Sequence, residues 1–287
     1  MSASDHVTVV DVAPRDGLQN EPTPVPVETK VALVDRLSAA GFRTIEVTSF
    51  VSPTAVPQLA DAAEVMARIR RASGVRYAVL TPNLRGFEAA RAAKADGIVV
   101  FGAASETFSQ QNIRCGIAES VERYAPVIAA ARAAGIHVRG TVSCAWGCPY
   151  EGEIAPAAVR WLAREFHRLG VDEISIADTI GVGTPDGMEE VLDAVLADVP
   201  VSHVNIHLHD TRGRALDSIV ACLDLGVRSF DASTGGVGGC PFAPGAPGNV
   251  ATEAVLDRLA AEGCPTGIDL AAVRETGRWL RAQLGRA

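Results

Sequence analysis

The stretch Leu169-Gly170-Val171-Asp172-Glu173-Ile174-Ser175-Ile176-Ala177-Asp178-Thr179-Ile180-Gly181-Val182-Gly183-Thr184-Pro185 holds, in order, a helix end, a strand, a polar turn and a helix start. Ala155–Leu169 ahead of it carries apolar residues at helical spacing. Gly170 is the residue type that ends a helix in the left-handed conformation without steric cost. Glu173–Ala177 is short and isoleucine-rich, as a buried strand is. The Thr184 hydroxyl then stands where it accepts from a helix's first orphan N–H groups, and Pro185 takes the first helical position, where a missing N–H costs nothing. A helix over Pro185–Asp198 follows.

The same unit recurs along the chain. Strands are predicted at Val7–Val12, Thr44–Thr48, Val75–Leu80, Gly97–Phe101, His137–Ser143, Glu173–Ala177, Val204–Leu208 and Val227–Ala232. Helices are predicted at Glu28–Ala40, Pro57–Arg71, Leu84–Lys94, Ala118–Ala134, Ala155–Leu169, Pro185–Asp198, Ala215–Leu225 and Val250–Glu262. Gly41, Gly135 and Gly226 stand where Gly170 does. Eight strand–helix units in a row imply a parallel sheet, and eight closes a (β/α)8 TIM barrel. An open doubly wound sheet fits less well, because no G-x-G-x-x-G turn follows the first strand. Ile268–Leu284 reads as an additional C-terminal helix capping or flanking the barrel. No linker-like block interrupts the pattern, so residues 1–287 are expected to form a single domain.

Composition narrows the function. The 287 residues are 48% hydrophobic, enough for one large core. A net charge of −8 with no dense Lys/Arg run gives no electrostatic support to a nucleic-acid or anionic-membrane partner. No apolar run approaches the length of a membrane span. The first residues lack the basic region and apolar stretch of a presequence, and the six cysteines contain no C-x-x-C pair. They read as free thiols of a reducing compartment, so a cytoplasmic location is expected.

In such a barrel the loops after the strands form the active face. The first strand runs into Pro14-Arg15-Asp16-Gly17-Leu18-Gln19-Asn20-Glu21. The second holds Glu46 and ends in Thr48-Ser49-Phe50, Asp178 closes the sixth, and the seventh ends in His207-Leu208-His209-Asp210. The eighth leads into a glycine-rich loop containing Cys240, then Gly248-Asn249. His207 and His209, two apart on a strand, point to one face, here the barrel mouth. A lone H-x-H is as readily a pair of hydrogen-bonded core histidines; Asp16 on the same rim turns the reading toward a divalent metal. This donor set also matches the facial triad of non-haem iron enzymes, so spacing supports "divalent metal" and no particular ion. Arg15 is either a surface ion pair or, beside a metal, a cation that holds an enolate oxygen. Glu46, inside a barrel, needs a partner, and Arg15 is the obvious one. Cys240 is either a small buried hydrophobe or a mobile acid or nucleophile carried over the site by loop closure. Cys144 and Cys148 lack zinc-knuckle spacing and read as structural.

Several segments resemble the 3-hydroxy-3-methylglutaryl-CoA lyase family of metal-dependent TIM-barrel lyases. They are Arg15-Asp16-Gly17-Leu18-Gln19-Asn20-Glu21, Ser49-Phe50-Val51-Ser52-Pro53, Phe101-Gly102-Ala103-Ala104-Ser105-Glu106, Ser143 to Gly152, Asp178 to Pro185, the His-x-His-Asp-Thr stretch and Gly238-Gly239-Cys240-Pro241-Phe242. The resemblance runs over nearly the whole chain, each segment at a strand end. It implies Mg2+ or Mn2+ bound by Asp16, His207, His209 and Asn249. It implies Arg15, Asp16, Glu46, His207 and Cys240 in catalysis, with Arg15 opposing enolate charge and Cys240 acting as a loop thiol. Gln19, Ser49, Asp178 and Thr179 would join Arg15 around an acyl-CoA substrate, with Glu46 and Glu253 behind the ligands. The implied reaction splits 3-hydroxy-3-methylglutaryl-CoA into acetyl-CoA and acetoacetate, in leucine degradation, and a homo-oligomer is compatible with it.

Departures from the family pattern fall near the site: Arg212, Pro247, Ala177 and the Thr234-Gly235-Gly236-Val237 approach. They leave every implied ligand intact and bear on the acyl substituent, so a related 3-hydroxy-3-alkylglutaryl-CoA or citramalyl-CoA stands as an alternative. A Claisen-condensing synthase of the same barrel superfamily is a further one, although such enzymes generally carry a C-terminal regulatory region. A non-enzymatic metal-binding scaffold would leave Arg15 and Cys240 without a purpose.

Overall fold

A computed structural model describes residues 6–239 and 248–286. Cys240 and Pro247 therefore lie outside the described residues. Eight parallel strands close a barrel in sequence order: β1 (Thr8–Asp11), β2 (Thr44–Ser49), β3 (Arg76–Leu80), β4 (Gly97–Ala103), β5 (His137–Ser143), β6 (Glu173–Asp178), β7 (Val204–Leu208) and β8 (Ser229–Ala232). The helices around it are α1 (Val27–Ala39), α2 (Ala62–Arg68), α3 (Leu84–Ala92), α4 (Glu106–Ile113), α5 (Ile117–Ala133), α6 (Pro156–Leu169), α7 (Pro185–Leu196), α8 (Ala215–Asp224), α9 (Thr252–Ala261) and α10 (Leu270–Gln283). The local signals behave as the sequence indicates. Gly41, Gly135, Gly170 and Gly226 all have positive φ, and Thr184 Oγ1 accepts from Gly187 N at 3.1 Å. The helix at the C-terminal end flanks the barrel: α10 packs on both α1 and α9 and so closes the outer ring.

Two helices differ from expectation. The helix expected over Pro57–Arg71 is split into a 3-10 turn, Pro57–Leu59, and α2. The turn is tied to the β1–α1 loop. The Gln58 amide accepts from Val25 N at 2.9 Å and donates to the carbonyls of Glu21 and Thr23, and Asp61 pairs with Lys30 at 2.7 Å. These tertiary bonds override the helical pattern. The second difference is α4, an extra helix between β4 and α5. Ser105 caps it by accepting from Phe108 N at 3.1 Å, and Arg114 ends it in the left-handed conformation. It is short and buries little beyond Phe108 and Ser109, too few residues to write a helical period into the sequence.

β2 carries a bulge. Glu46 pairs with Ala78, but Thr48 pairs with Val79 and Ser49 with Leu80. One extra residue switches the alternation, so Glu46 and Ser49, three apart, both face the barrel interior. Across the barrel, β5 to β8 line that interior with Arg139, Glu173, Ser175, Asn205, His207 and Asp231, in place of the branched apolar layers usual in this fold.

Candidate metal centre and active-site cavity

β1 ends in a single wide helical turn, Ala13–Gly17, in which the Val12 carbonyl accepts from the backbone N–H groups of Arg15, Asp16 and Gly17. Such π-type turns recur at functional sites. This one folds back over the mouth of the barrel and presses Gly17 against Val237, where a Cβ would lie 2.7 Å from the valine side chain. Arg15 and Asp16 are thereby placed over the ends of β7 and β8. Arg15 Nε donates to Glu46 at 2.6 Å and Nη1 to Asp16 at 2.5 Å, so the Arg15–Glu46 pair has the geometry expected from sequence.

Ligand atoms of Asp16, His207 and His209 all lie within 4.8 Å of one another. Asn249 joins them through its side chain, donating from Nδ2 to Asp16 Oδ2 at 2.8 Å. Its backbone is held by Gly238, whose carbonyl accepts from Asn249 N at 3.0 Å. The neighbouring Val250 N donates to Leu208 O. At this point a Cβ on Gly248 would run into the Gly238 carbonyl, and one on Gly238 into the Asn249 amide and Gly17. Asp210 N donates to Gly248 O at 2.7 Å. Two buried atoms beside the cluster, Asn249 Oδ1 and His209 Nδ1, have no hydrogen-bond partner among the described residues. Orphaned acceptors of this kind are costly unless something occupies them. With one carboxylate and two imidazoles alongside, the donor set fits a divalent cation.

The charges suit that role. Burial pushes the Asp16 carboxyl upward, but Arg15, then His207 and His209, outweigh it and hold the group well below the usual carboxylate range. Burial and the neighbouring His207 take the His209 imidazole down to about 4, so at neutral pH it carries a free lone pair. His207 is also desolvated, yet its hydrogen bond to Asp231 brings it above its ordinary value. For Arg15, burial is overcome by Glu46 and Asp16, and the guanidinium stays charged.

Asp16, His207 and His209 line a cavity of about 790 Å3 whose wall also includes Arg15, Gln19, Glu46, Ser49, Thr179 and Asp231. Gln19 Nε2 lies 3.4 Å from Asp16 Oδ1. Ser49 Oγ accepts from Val51 N, and Thr179 Oγ1 from Cys144 N. Asp178, expected around the substrate, closes β6. It is 2% exposed and not part of that wall; its carboxylate accepts from Val182 N at 3.1 Å and Gly183 N at 2.8 Å. A buried carboxylate takes the nearest donors, and the tight turn after β6 supplies them. Glu253 accepts from Gly235 N at about 3 Å and braces the turn after β8. Sequence reading overlooked Asp231 and Arg139. Asp231 is 3.2 Å from His207 Nδ1 and accepts from Arg139 Nη1 at 2.7 Å. The available signal was a lone charge at an inward position of an otherwise apolar strand.

Comparisons agree with this geometry. A family model described as HMGL-like matches residues 6–280. Hydroxymethylglutaryl-CoA lyase, mitochondrial, of Bos taurus is 51% identical over 280 residues, 98% of this chain and 86% of that protein. The crystal structure of the HMG-CoA lyase from Brucella melitensis superposes with a TM-score of 0.96 at 56% identity, covering 97% of this chain and 98% of that one. An HMG-CoA lyase from Acinetobacter baumannii, solved with coenzyme A and 3-methylmalate, superposes with a TM-score of 0.95 at 39% identity, covering 100% and 93%. On fold, site and sequence together, the chain belongs to the HMGL-like family.

Proposed function

We propose that this protein is a divalent-metal-dependent carbon–carbon lyase that cleaves 3-hydroxy-3-methylglutaryl-CoA to acetyl-CoA and acetoacetate. The observation that carries the reading is the fixed guanidinium of Arg15, bound by Glu46 and Asp16 on the edge of a three-ligand cluster inside one cavity. The reaction breaks the C2–C3 bond. The 3-hydroxyl loses its proton and C3 becomes the ketone of acetoacetate; the bonding pair passes to C2 as the enolate of acetyl-CoA, which is then protonated. Asp16, His207, His209 and Asn249 would hold the cation, Mg2+ or Mn2+, which supplies Lewis acidity toward the hydroxyl and carboxylate oxygens. Arg15, with donors left over from its two carboxylate partners, opposes the charge that grows on the thioester oxygen. The 3-hydroxyl proton would leave through the ligand shell, to Asp16, or to His207 where that ring is not itself holding the cation. Cys240, outside the described residues, would return a proton to C2. Gln19, Ser49 and Thr179 line the same cavity and would orient the acyl-CoA.

The same reading has the reaction serve leucine degradation, which is the family expectation, and run in the cytoplasm, in keeping with the free cysteines among the described residues. No helix among the described residues is long and apolar enough to cross a membrane. The test is direct. Purified protein incubated with 3-hydroxy-3-methylglutaryl-CoA and Mg2+ or Mn2+ should release acetoacetate and acetyl-CoA in equal amounts, and EDTA should stop it. Full turnover in the metal-free preparation, or no acetoacetate with either ion, would overturn the proposal.

A further inference from the structure

His207 and Asp231 are register partners on neighbouring strands and both face the barrel interior. One Asp231 oxygen stands 3.2 Å from His207 Nδ1; the other accepts from Arg139 Nη1 at 2.7 Å. Arg139 crosses from β5 and is itself fixed by Glu173, which accepts from its Nε at 2.7 Å. Glu173 in turn accepts from Ser229 Oγ at 2.8 Å, and Ser229 Oγ accepts from Asn205 Nδ2 at 2.9 Å. Arg139, Asn205 and Asp231 are at most 5% exposed, so water does not compete for these bonds. On its other side the His207 register partner is Ala177, whose methyl group offers nothing that could steer an imidazole. The hydrogen bond that orients the ring is the one to Asp231, with the His209 ring 5.4 Å away at 49° beside it.

We propose that Asp231, locked by Arg139, is a positioning residue for the metal centre: it accepts the Nδ1 proton of His207, fixes the tautomer, and leaves the Nε2 lone pair for the cluster with Asp16 and His209. The inference rests on the reading of that cluster as a divalent-metal site. Arg139 prevents the carboxylate from rotating away by holding one oxygen while the other faces the ring. Carboxylate partners of ligand histidines elsewhere set ring orientation in this way, and their removal costs about 10- to 100-fold in metal affinity.

The experiment uses metal-free protein and Mn2+ alone. Ring 15N spectra of the wild type at alkaline pH, where the ring is neutral, with His207 assigned from a His207→Gln variant, should show the proton on Nδ1. In Asp231→Asn that preference should be lost, because an amide can donate to Nδ1 as well as accept from it. Calorimetric Mn2+ affinity should fall about 10- to 100-fold in Asp231→Asn, and Ser229→Ala, which leaves the His207 contact intact, should stay within about twofold. Two results would overturn the positioning role. One is a wild-type His207 carrying its proton on Nε2, which needs no variant to fold; the other is a folded Asp231→Asn that binds Mn2+ as tightly as wild type. A wild type that binds no Mn2+ would overturn the metal reading and this inference with it.

Discussion

Asp11 and Asp16 leave the same strand end, yet the fold uses them in opposite ways. Asp11 faces away from the barrel interior and is fully buried. Among the described residues it accepts from neutral donors alone: Ala13 N, Thr234 N and Oγ1, and Thr252 Oγ1. Burial wins over these bonds and pushes its carboxyl up to about 7. Asp16 faces the mouth, where burial is overcome by Arg15, His207 and His209. Neutral donors make Asp11 a strut joining β1 to the turn after β8 and the start of α9. Cationic neighbours make Asp16 a permanent negative charge aimed at a ligand.

Four substitutions test this contrast. Asp16→Asn should have the largest effect: Mn2+ affinity and turnover should each fall by about a hundredfold or more, because an amide supplies neither charge nor a second acceptor oxygen. Near-wild-type Mn2+ binding by calorimetry would remove Asp16 from the centre. Arg15→Lys comes next. A compact ammonium cannot reproduce the fork between Glu46 and Asp16, so turnover should drop about 10^2-fold while binding of coenzyme A changes by only a few-fold. Parallel losses in both would make Arg15 a holding group.

Asp11→Asn should leave turnover within a few-fold of wild type and act on stability instead. The folded-state pKa of Asp11, about 7, lies above its unfolded value. The folded protein therefore binds the extra proton, and stability declines as pH rises from about 4 to about 7. Asp16, shifted downward, contributes above its unfolded value and loses that contribution only in acid, so it adds no slope between pH 5 and 8. The histidines, His209 with its imidazole taken down to about 4 among them, titrate in both proteins. The difference between the wild-type and Asp11→Asn melting curves should therefore slope with pH across that range, even though the variant melts lower overall for want of its hydrogen bonds. Equal slopes would show that Asp11 is ionised throughout. The smallest effect belongs to Glu253→Gln. Glu253 adds a repulsive charge near Asp11, so its loss should move the midpoint of that slope to lower pH, at a cost of about 1 kcal/mol from the weakened bond to Gly235. An unmoved midpoint would mean that the two carboxylates do not sense each other.

What the sequence makes legible is whatever one strand or one turn encodes by itself. The glycine stops and the Thr184 cap mark the barrel repeat, and the two-residue spacing of His207 and His209 puts both rings on one face. The rest depends on encounters between distant segments. Asp231 meets His207 and Arg139 only because strands β5 to β8 curve around one interior, and the local pattern near Phe230 shows a lone inward charge without naming its partners. Ser49 faces the cavity because of a bulge, which strict alternation would have assigned to Thr48. Asp178 stands at the strand end expected from sequence, and the backbone of its own turn, which strand spacing does not foretell, donates to its carboxylate.

The crossing of Gly238 and Gly248 bears on how such a site diversifies. Asn249 is placed by main-chain bonds to Gly238 and, through its neighbours, to Leu208 and Asp210. The clasp depends on backbone atoms and on the two glycines alone. Changes in the intervening residues other than Cys240 would leave Asn249 where it is. The barrel can thus retain its chemistry while varying what it presents to the substrate, a modularity in which mutation explores specificity without first having to rebuild the catalytic centre.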